Sequence, residues 1–266
     1  MQSPQINPID LVTTRSQELE IVAEVSAIIT RITNLDELLQ TVSDLTKERF
    51  SLYHAHIYLL SEDGKMLQLA GGAGEAGRMM KTYDHAIAMD RHQSVVAQSA
   101  RTRQGVIVDD VRKEPNFLPN PLLLETSSEM AVPIIANEAL IGVLDMQSKA
   151  IGHFTTDDVR TKTILANQIA VAVQNARSFA TTQQLLTENE ILRVASEAIN
   201  AANTFAELAK ALAPVIPSSR TVLSVFENYD LNNASYFETT TVVLGSEDNN
   251  QGVSRFPIAY FPSPFG

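Results

Sequence analysis

Apolar residues recur along the chain at two spacings, and each change of spacing marks a change of element. Ile21, Val25, Ile28 and Ile32 follow one another at three or four residues, the period of one buried helical stripe. A break at Asn/Thr follows, and Asn34-Leu35-Asp36-Glu37-Leu38-Leu39 opens a second helix. From Ala55 to Leu60 the chain reads as a strand, turns at Ser61-Glu62-Asp63-Gly64-Lys65, and returns through Met66 to Ala70. Residues 85–90 and 105–109 are expected to be strands, with a short helix over 93–100 between them. Gly71-Gly72-Ala73-Gly74 follows a strand with no clear helix after it, so a mobile loop is expected there rather than a phosphate cradle.

The clearest pattern is SSEMAVPIIANEALIGVLDMQS, residues 127–148, in which two apolar runs flank Ala136-Asn137-Glu138-Ala139. This is a hairpin, but its arms carry Glu129, Pro133, Asp145 and Gln147. Pro133 cannot donate to a ladder, so its arm is expected to lie at an edge or to carry a bulge there. The polar residues of the hairpin are read as lying on the face away from the helices, the pocket side, or at the strand ends, where Asp145 and Gln147 would only satisfy backbone groups. Thr155-Thr156-Asp157-Asp158 then supplies a helix N-cap with an acidic third position. The helix is expected to reach about Thr182, with Leu165, Ile169, Ala172, Ala176 and Phe179 as its buried stripe.

These elements predict an α+β or three-layer domain with antiparallel strands. One sheet face packs on the helices within 16–50 and 156–182, and the other is covered by material from residues 71–128. The segment 109–128 is long for a connection and rich in large apolar groups, among them Phe117, Leu118, Leu122, Leu123 and Leu124. Either it is a lid over a small-molecule pocket or it is a plain cover on the core.

A shift of 170 residues aligns 18–45 with 188–215, with Glu18, Glu20, Ile21, Ser26, Ile29, Glu37 and Leu38 recurring as Glu188, Glu190, Ile191, Ser196, Ile199, Glu207 and Leu208. Strands are expected next at 221–226 and 239–244, without a counterpart of the 127–148 hairpin. The expected organisation is a tail over 1–15, a complete domain over 16–182, a connecting helix over 183–203, and a truncated second copy over 204–266.

The ordered set of motifs resembles the GAF-domain family of small-molecule sensor modules. The resemblance rests on Asn34 to Leu39, Ala55 to Leu60 with Asp63-Gly64, Arg101 to Val111, Ser128 to Ile134, Ile141 to Ser148, Phe154 to Asp158 and Gln168 to Arg177. It implies a six-stranded antiparallel sheet with helices on one face and a ligand pocket on the other. It also implies a sensory and regulatory role that relays a bound state through flanking helices to an output domain outside this chain. The Asn-Lys…Phe…Asp-Glu signature of cyclic-nucleotide-binding members is not found. Covalent bilin attachment and the sulfoxide reductases of this fold both require cysteine, and the chain has none.

Composition narrows the partners. The formal net charge is -11, with 20 basic and 31 acidic residues and no basic block, which disfavours nucleic acid and anionic membrane surfaces. No apolar run approaches a membrane span, no secretory signal opens the chain, and cytoplasmic location is the expectation. No nucleophile elbow, phosphate-cradling loop or His-Glu-x-x-His pattern occurs, so catalysis is not expected.

The expected ligand contacts are His56 and Tyr58 on the first strand, Asn116, Phe117 and Leu122 on the lid, and Ser127, Ser128, Glu129 and Met130 where the lid joins the sheet. His54 and His56 share a strand face but lack a third ligand, so no metal is expected. Ile164, Val171, Leu185, Leu192 and Ile199 hold a seven-residue phase, and a homodimer through helices 18–50 and 156–200 is expected. The competing reading is a scaffold with a collapsed pocket that only dimerises.

Overall fold

The computed structural model describes residues 8–115, 117, 119–202, 207, 211, 221–227, 236–244 and 251–257. It divides into two compact units, Met1–Thr181 and Thr182–Gly266.

The first unit opens with two helices, α1 (Pro8–Ile29) and α2 (Leu35–Arg49). Asn34 caps α2, its Oδ1 accepting from the Glu37 backbone N–H at 3.0 Å. Strands β1 (His54–Leu60) and β2 (Met66–Gly72) form the first hairpin, followed by α3 (Gly74–Thr82), β3 (Ala86–Ala88), α4 (Val95–Thr102) and β4 (Val106–Val108). Next come β5 (Ser128–Ala136), β6 (Ala139–Ser148) and the start of α5 (Thr156–Ala201), whose residues from Thr182 on belong to the second unit. The strands make one antiparallel sheet in the order β3-β2-β1-β6-β5-β4.

Local chemistry accounts for these boundaries. The β5–β6 turn places Asn137 and Glu138 at φ 48° and 62°, the left-handed pair that matches strand twist in a two-residue hairpin. Pro133 lies beyond the last β4 pair, Val106 with Ala131, so on that side β5 is locally an edge, while Pro133 stands opposite Val143 of β6 on the other. A register shift follows directly, between Ile134 and Ile135. At the start of α5, Thr155 Oγ1 accepts from the Asp158 N–H at 3.2 Å while Asp158 Oδ2 accepts from the Thr155 N–H at 2.8 Å.

Alternation along the strands separates two cores. On the helix side, Ile57, Met130, Val132, Ile134, Leu144 and Met146 pack with Val22, Val25, Ile29, Leu38, Leu39, Leu165 and Ile169. Each such side chain gains about 1.5–3 kcal/mol from burial. On the other side, Tyr58, Leu67, Leu69, Ala131 and Val143 pack with Met80, Val95, Val96, Val111 and Leu123. Helices α3 and α4 and the 109–128 segment therefore cover the face that α1, α2 and α5 leave free.

Three helix expectations are corrected. Ile28 is exposed and the buried stripe of α1 is Val22, Val25 and Ile29. Phe179 is 46% exposed, whereas Leu165, Ile169, Ala172 and Ala176 are buried. Gly71 to Gly74 is not a mobile loop: Gly71 and Gly72 end β2, and α3 begins at Gly74. Here the glycines permit close approach, because a Cβ on Gly77 would meet the Gly72 carbonyl carbon at 2.0 Å.

Lys162 is buried on α5 and joins three elements. Its Nζ donates to Glu18 Oε1 on α1 at 2.8 Å and to Asp158 Oδ1 at 2.6 Å, and lies 4.6 Å from the Phe50 ring centroid. No helix among the described residues is long and apolar enough to cross a membrane.

In the second unit, β7 (Thr221–Glu227), β8 (Tyr236–Leu244) and β9 (Gln251–Pro257) form a three-stranded antiparallel sheet in that order. The third of these strands is not anticipated from the sequence pattern.

Candidate functional site

The register of three central strands assembles the polar groups of the covered face. His54 stands opposite Gln147 and His56 opposite Asp145 across β1–β6, while Glu129 stands opposite Gln147 across β5–β6. Cross-strand partners share a face, so these residues with Tyr58 form one patch on the side opposite α1, α2 and α5.

A cavity of about 340 Å³ opens above this patch. His56, Tyr58, Glu129, Asp145 and Gln147 form its floor, and Met80, Ile87, Val95 and Val96 contribute apolar wall. Pro119, Asn120, Pro121 and Leu122 close it from the 109–128 segment, while Tyr83, His85 and Arg91 stand around it. Asn120 fixes that closure by donating to Met80 Sδ at 3.2 Å and accepting from the Leu122 N–H at 2.9 Å.

The floor is a directed hydrogen-bond chain. Thr126 Oγ1 donates to Gln147 Oε1 at 2.7 Å, which orients the amide so that Gln147 Nε2 donates to Asp145 Oδ2 at 3.0 Å. His56 Nδ1 lies 3.1 Å from the same oxygen. His56 and Asp145 are each 1% exposed, yet among the described residues His56 Nε2 has no hydrogen-bond partner and no N–H reaches Asp145 Oδ1. Buried polar atoms are nearly always paired, so these two atoms hold unused capacity at the edge of a cavity.

Burial sets the protonation of the neighbours. It holds the Glu129 carboxyl well above the ordinary carboxylate range, and the negative charge of Asp145 and a side-chain hydrogen bond to it add to the shift. Burial, then Asp145 and Glu129, likewise keep the Tyr58 hydroxyl protonated. His54, whose ring centroid is 4.2 Å from that of His56, is pushed down to about 2 by burial, with His56 and Lys47 adding to it. His85 is also lowered, by burial first and then by His56 and Arg91.

Of the expected contacts, His56, Tyr58, Leu122 and Glu129 line the cavity. Met130 does not, because it alternates to the helix-side core. Ser128 shares that opposite face and donates to the Ala150 carbonyl at 2.7 Å. Ser127 is engaged through its backbone with Val111 and Ser148. Phe117 is half-buried against the covered-face core and borders a separate hollow with Arg112 and Leu124. Asn116 lies outside the described residues. Of the two placements open for Asp145 and Gln147, the pocket face and the strand end, the cavity lining includes both residues on the pocket face. Their signal was present in the alternation, two residues apart on one face. Met80, His85, Arg91 and Asn120 carry no comparable sequence signal.

The family model described as GAF domain matches residues 32–174. No curated protein matches the chain. Among solved structures, the GAF domain from a phosphoenolpyruvate-protein phosphotransferase of Coxiella burnetii is 16% identical at a TM-score of 0.56, covering 63% of this chain and 98% of that one. A free methionine-R-sulfoxide reductase from Neisseria meningitidis, solved with its substrate, is 22% identical at 0.54, covering 62% and 93%. A methyl-accepting chemotaxis protein fragment is 20% identical at 0.51, covering 58% and 98%.

At these identities the likeness carries the fold alone. It nonetheless corrects the expectation of no catalysis, because a reductase shares this architecture and the fold is therefore compatible with enzymatic activity. The six-stranded sheet order and the match over 143 consecutive residues, 32–174, agree, and the chain belongs to the GAF domain family.

Proposed function

We propose that the first unit is a sensory module that binds a small molecule between the sheet and the 109–128 lid. The observation that carries this reading is Asp145, a carboxylate 1% exposed that lines a cavity of about 340 Å³ with one oxygen that no N–H reaches among the described residues. A cavity of that size with apolar walls and a few convergent polar groups suits a small ligand. Occupancy would favour one arrangement of α1, α2 and α5, and so reach an output domain outside these 266 residues. The chemotaxis protein of similar fold is in keeping with such a role.

Self-association through α1 and α5 belongs to the same proposal. Ile164 and Val171, spaced by seven on α5, are 43% and 48% exposed, and Leu19 and Ile28 on α1 are exposed too. A cytoplasmic setting and a truncated second copy over 204–266 are proposed with it, the latter on the 170-residue repeat. The family match does not extend to those residues.

Native mass spectrometry of the full chain, incubated with a panel of metabolite-sized compounds, tests the binding. One-to-one adducts that disappear when Val96→Phe fills the cavity support the reading. A chain that takes none of the compounds, or takes them equally well when filled, contradicts it.

A further inference from the structure

The floor of the cavity is chemically one-sided. Asp145 and Glu129 bring two carboxyl groups, and among the described residues no lysine or arginine forms an ion pair with either, Arg91 standing at the cavity margin. Among the described residues Asp145 Oδ2 receives two N–H donors, from His56 and Gln147, while Oδ1 receives none, and the protonated Glu129 carboxyl is the one other hydrogen-bond partner of Asp145. A buried carboxylate oxygen that no N–H reaches, beside a neutral acid, gains more from a charged donor than from a neutral one. The apolar wall of Met80, Ile87, Val95 and Val96 leaves the rest of the ligand no polar partner on that side.

We propose that the cavity takes a small organic cation, a primary amine or amidine on an apolar body, with Asp145 Oδ1 and Glu129 receiving its N–H groups. This rests on the reading of the cavity as a ligand site. It has a consequence for proton balance. Glu129 keeps its proton in the empty site, because burial and Asp145 both disfavour its charge. A cation placed against it reverses the second of these influences, so binding releases the Glu129 proton to solvent. Affinity then rises with pH while the amine stays protonated. The other titratable or charged groups facing Glu129 are Asp145 from β6, His56 and Tyr58 from β1, and His85 and Arg91 at the cavity margin.

The test uses the full chain with two pairs of probes, isopentylamine against isopentanol and benzamidine against benzamide. Thermal melting and calorimetry in phosphate and HEPES buffers are the readouts. The cations are expected to raise the melting temperature and their neutral counterparts to leave it unchanged. The binding enthalpy is expected to differ between buffers by the heat of taking up the released proton. Asp145→Asn is expected to weaken cation binding by about tenfold or more, and Glu129→Gln to remove the buffer dependence. Equal binding of the neutral probes overturns the cation proposal and leaves the cavity reading standing. No binding by either kind overturns both. If Asp145→Asn does not fold, the wild-type comparison and Glu129→Gln decide the matter alone.

Discussion

The imidazole Nδ1 of His56 lies 3.1 Å from Oδ2 of Asp145, on adjacent strands and 89 residues apart in the chain. This contact ties the first hairpin to the second and shapes the cavity floor. Asp145→Ala leaves the donors of His56 and Gln147 buried without an acceptor, at a cost of about 1–3 kcal/mol for each. Asp145→Asn retains one acceptor oxygen and is expected to cost less. Urea unfolding of the two variants checks the order, and an unchanged midpoint for the alanine variant contradicts it.

His54 makes the fold acid-sensitive. Its pKa is pushed from 6.5 to about 2, by burial first and then by His56 and Lys47. Below pH 6.5 the unfolded chain takes a proton that the folded state refuses, so stability is full above that pH and falls as pH drops. Glu129 acts in the opposite sense: its raised folded pKa means its contribution is full below the unfolded value and is lost as pH rises through the folded one. Melting temperature measured against pH is expected to fall less steeply below pH 6.5 in His54→Gln than in the wild type. Identical slopes would show that His54 is not the group responsible.

Lys162 holds α1 against α5 through Glu18, beside its bond to Asp158. Asp158 is itself half-buried, which raises its pKa, but Lys162 and Thr155 overcome this and the net shift is downward. Lys162→Met leaves both carboxylates without their cation, at about 3 kcal/mol by comparison with broken buried pairs. Amide exchange in α1 is expected to quicken more than exchange in β1 or β6. Uniform quickening would mean that Lys162 supports the fold as a whole rather than the α1 contact.

The exposed α5 residues give the fourth prediction. Light scattering of the full chain is expected to report a dimer, and Ile164→Asp with Val171→Asp a monomer of unchanged melting temperature. A monomeric wild type removes the self-association proposal without touching the cavity.

Much of this architecture was readable before any coordinates. The hairpin at 127–148, the Thr155 cap and the two-sided covering of the sheet follow from period, turn chemistry and apolar balance. Helix α3 was not readable, because GEAGRMMKT is short, has two glycines, and shows only Ala76 and Met80 on its buried face. Its place depends on the Gly72–Gly77 approach, a tertiary contact. At the site, grouping Ser128, Glu129 and Met130 by sequence neighbourhood overlooked strand alternation, which sends only Glu129 to the cavity. That Asp145 stands opposite His56 is a matter of register across an 89-residue separation, and local pattern does not encode it.

Thermal melting of the full chain against a panel of metabolite-sized compounds, with wild type and Val96→Phe side by side, tests the central claim most directly. A ligand of the cavity stabilises by mass action, about 2.7 kcal/mol at a hundredfold excess over its dissociation constant. The account predicts that at least one compound raises the melting temperature of the wild type and not that of the filled variant. If every stabilising compound acts equally on both proteins, or none acts on either, the cavity is not a ligand site.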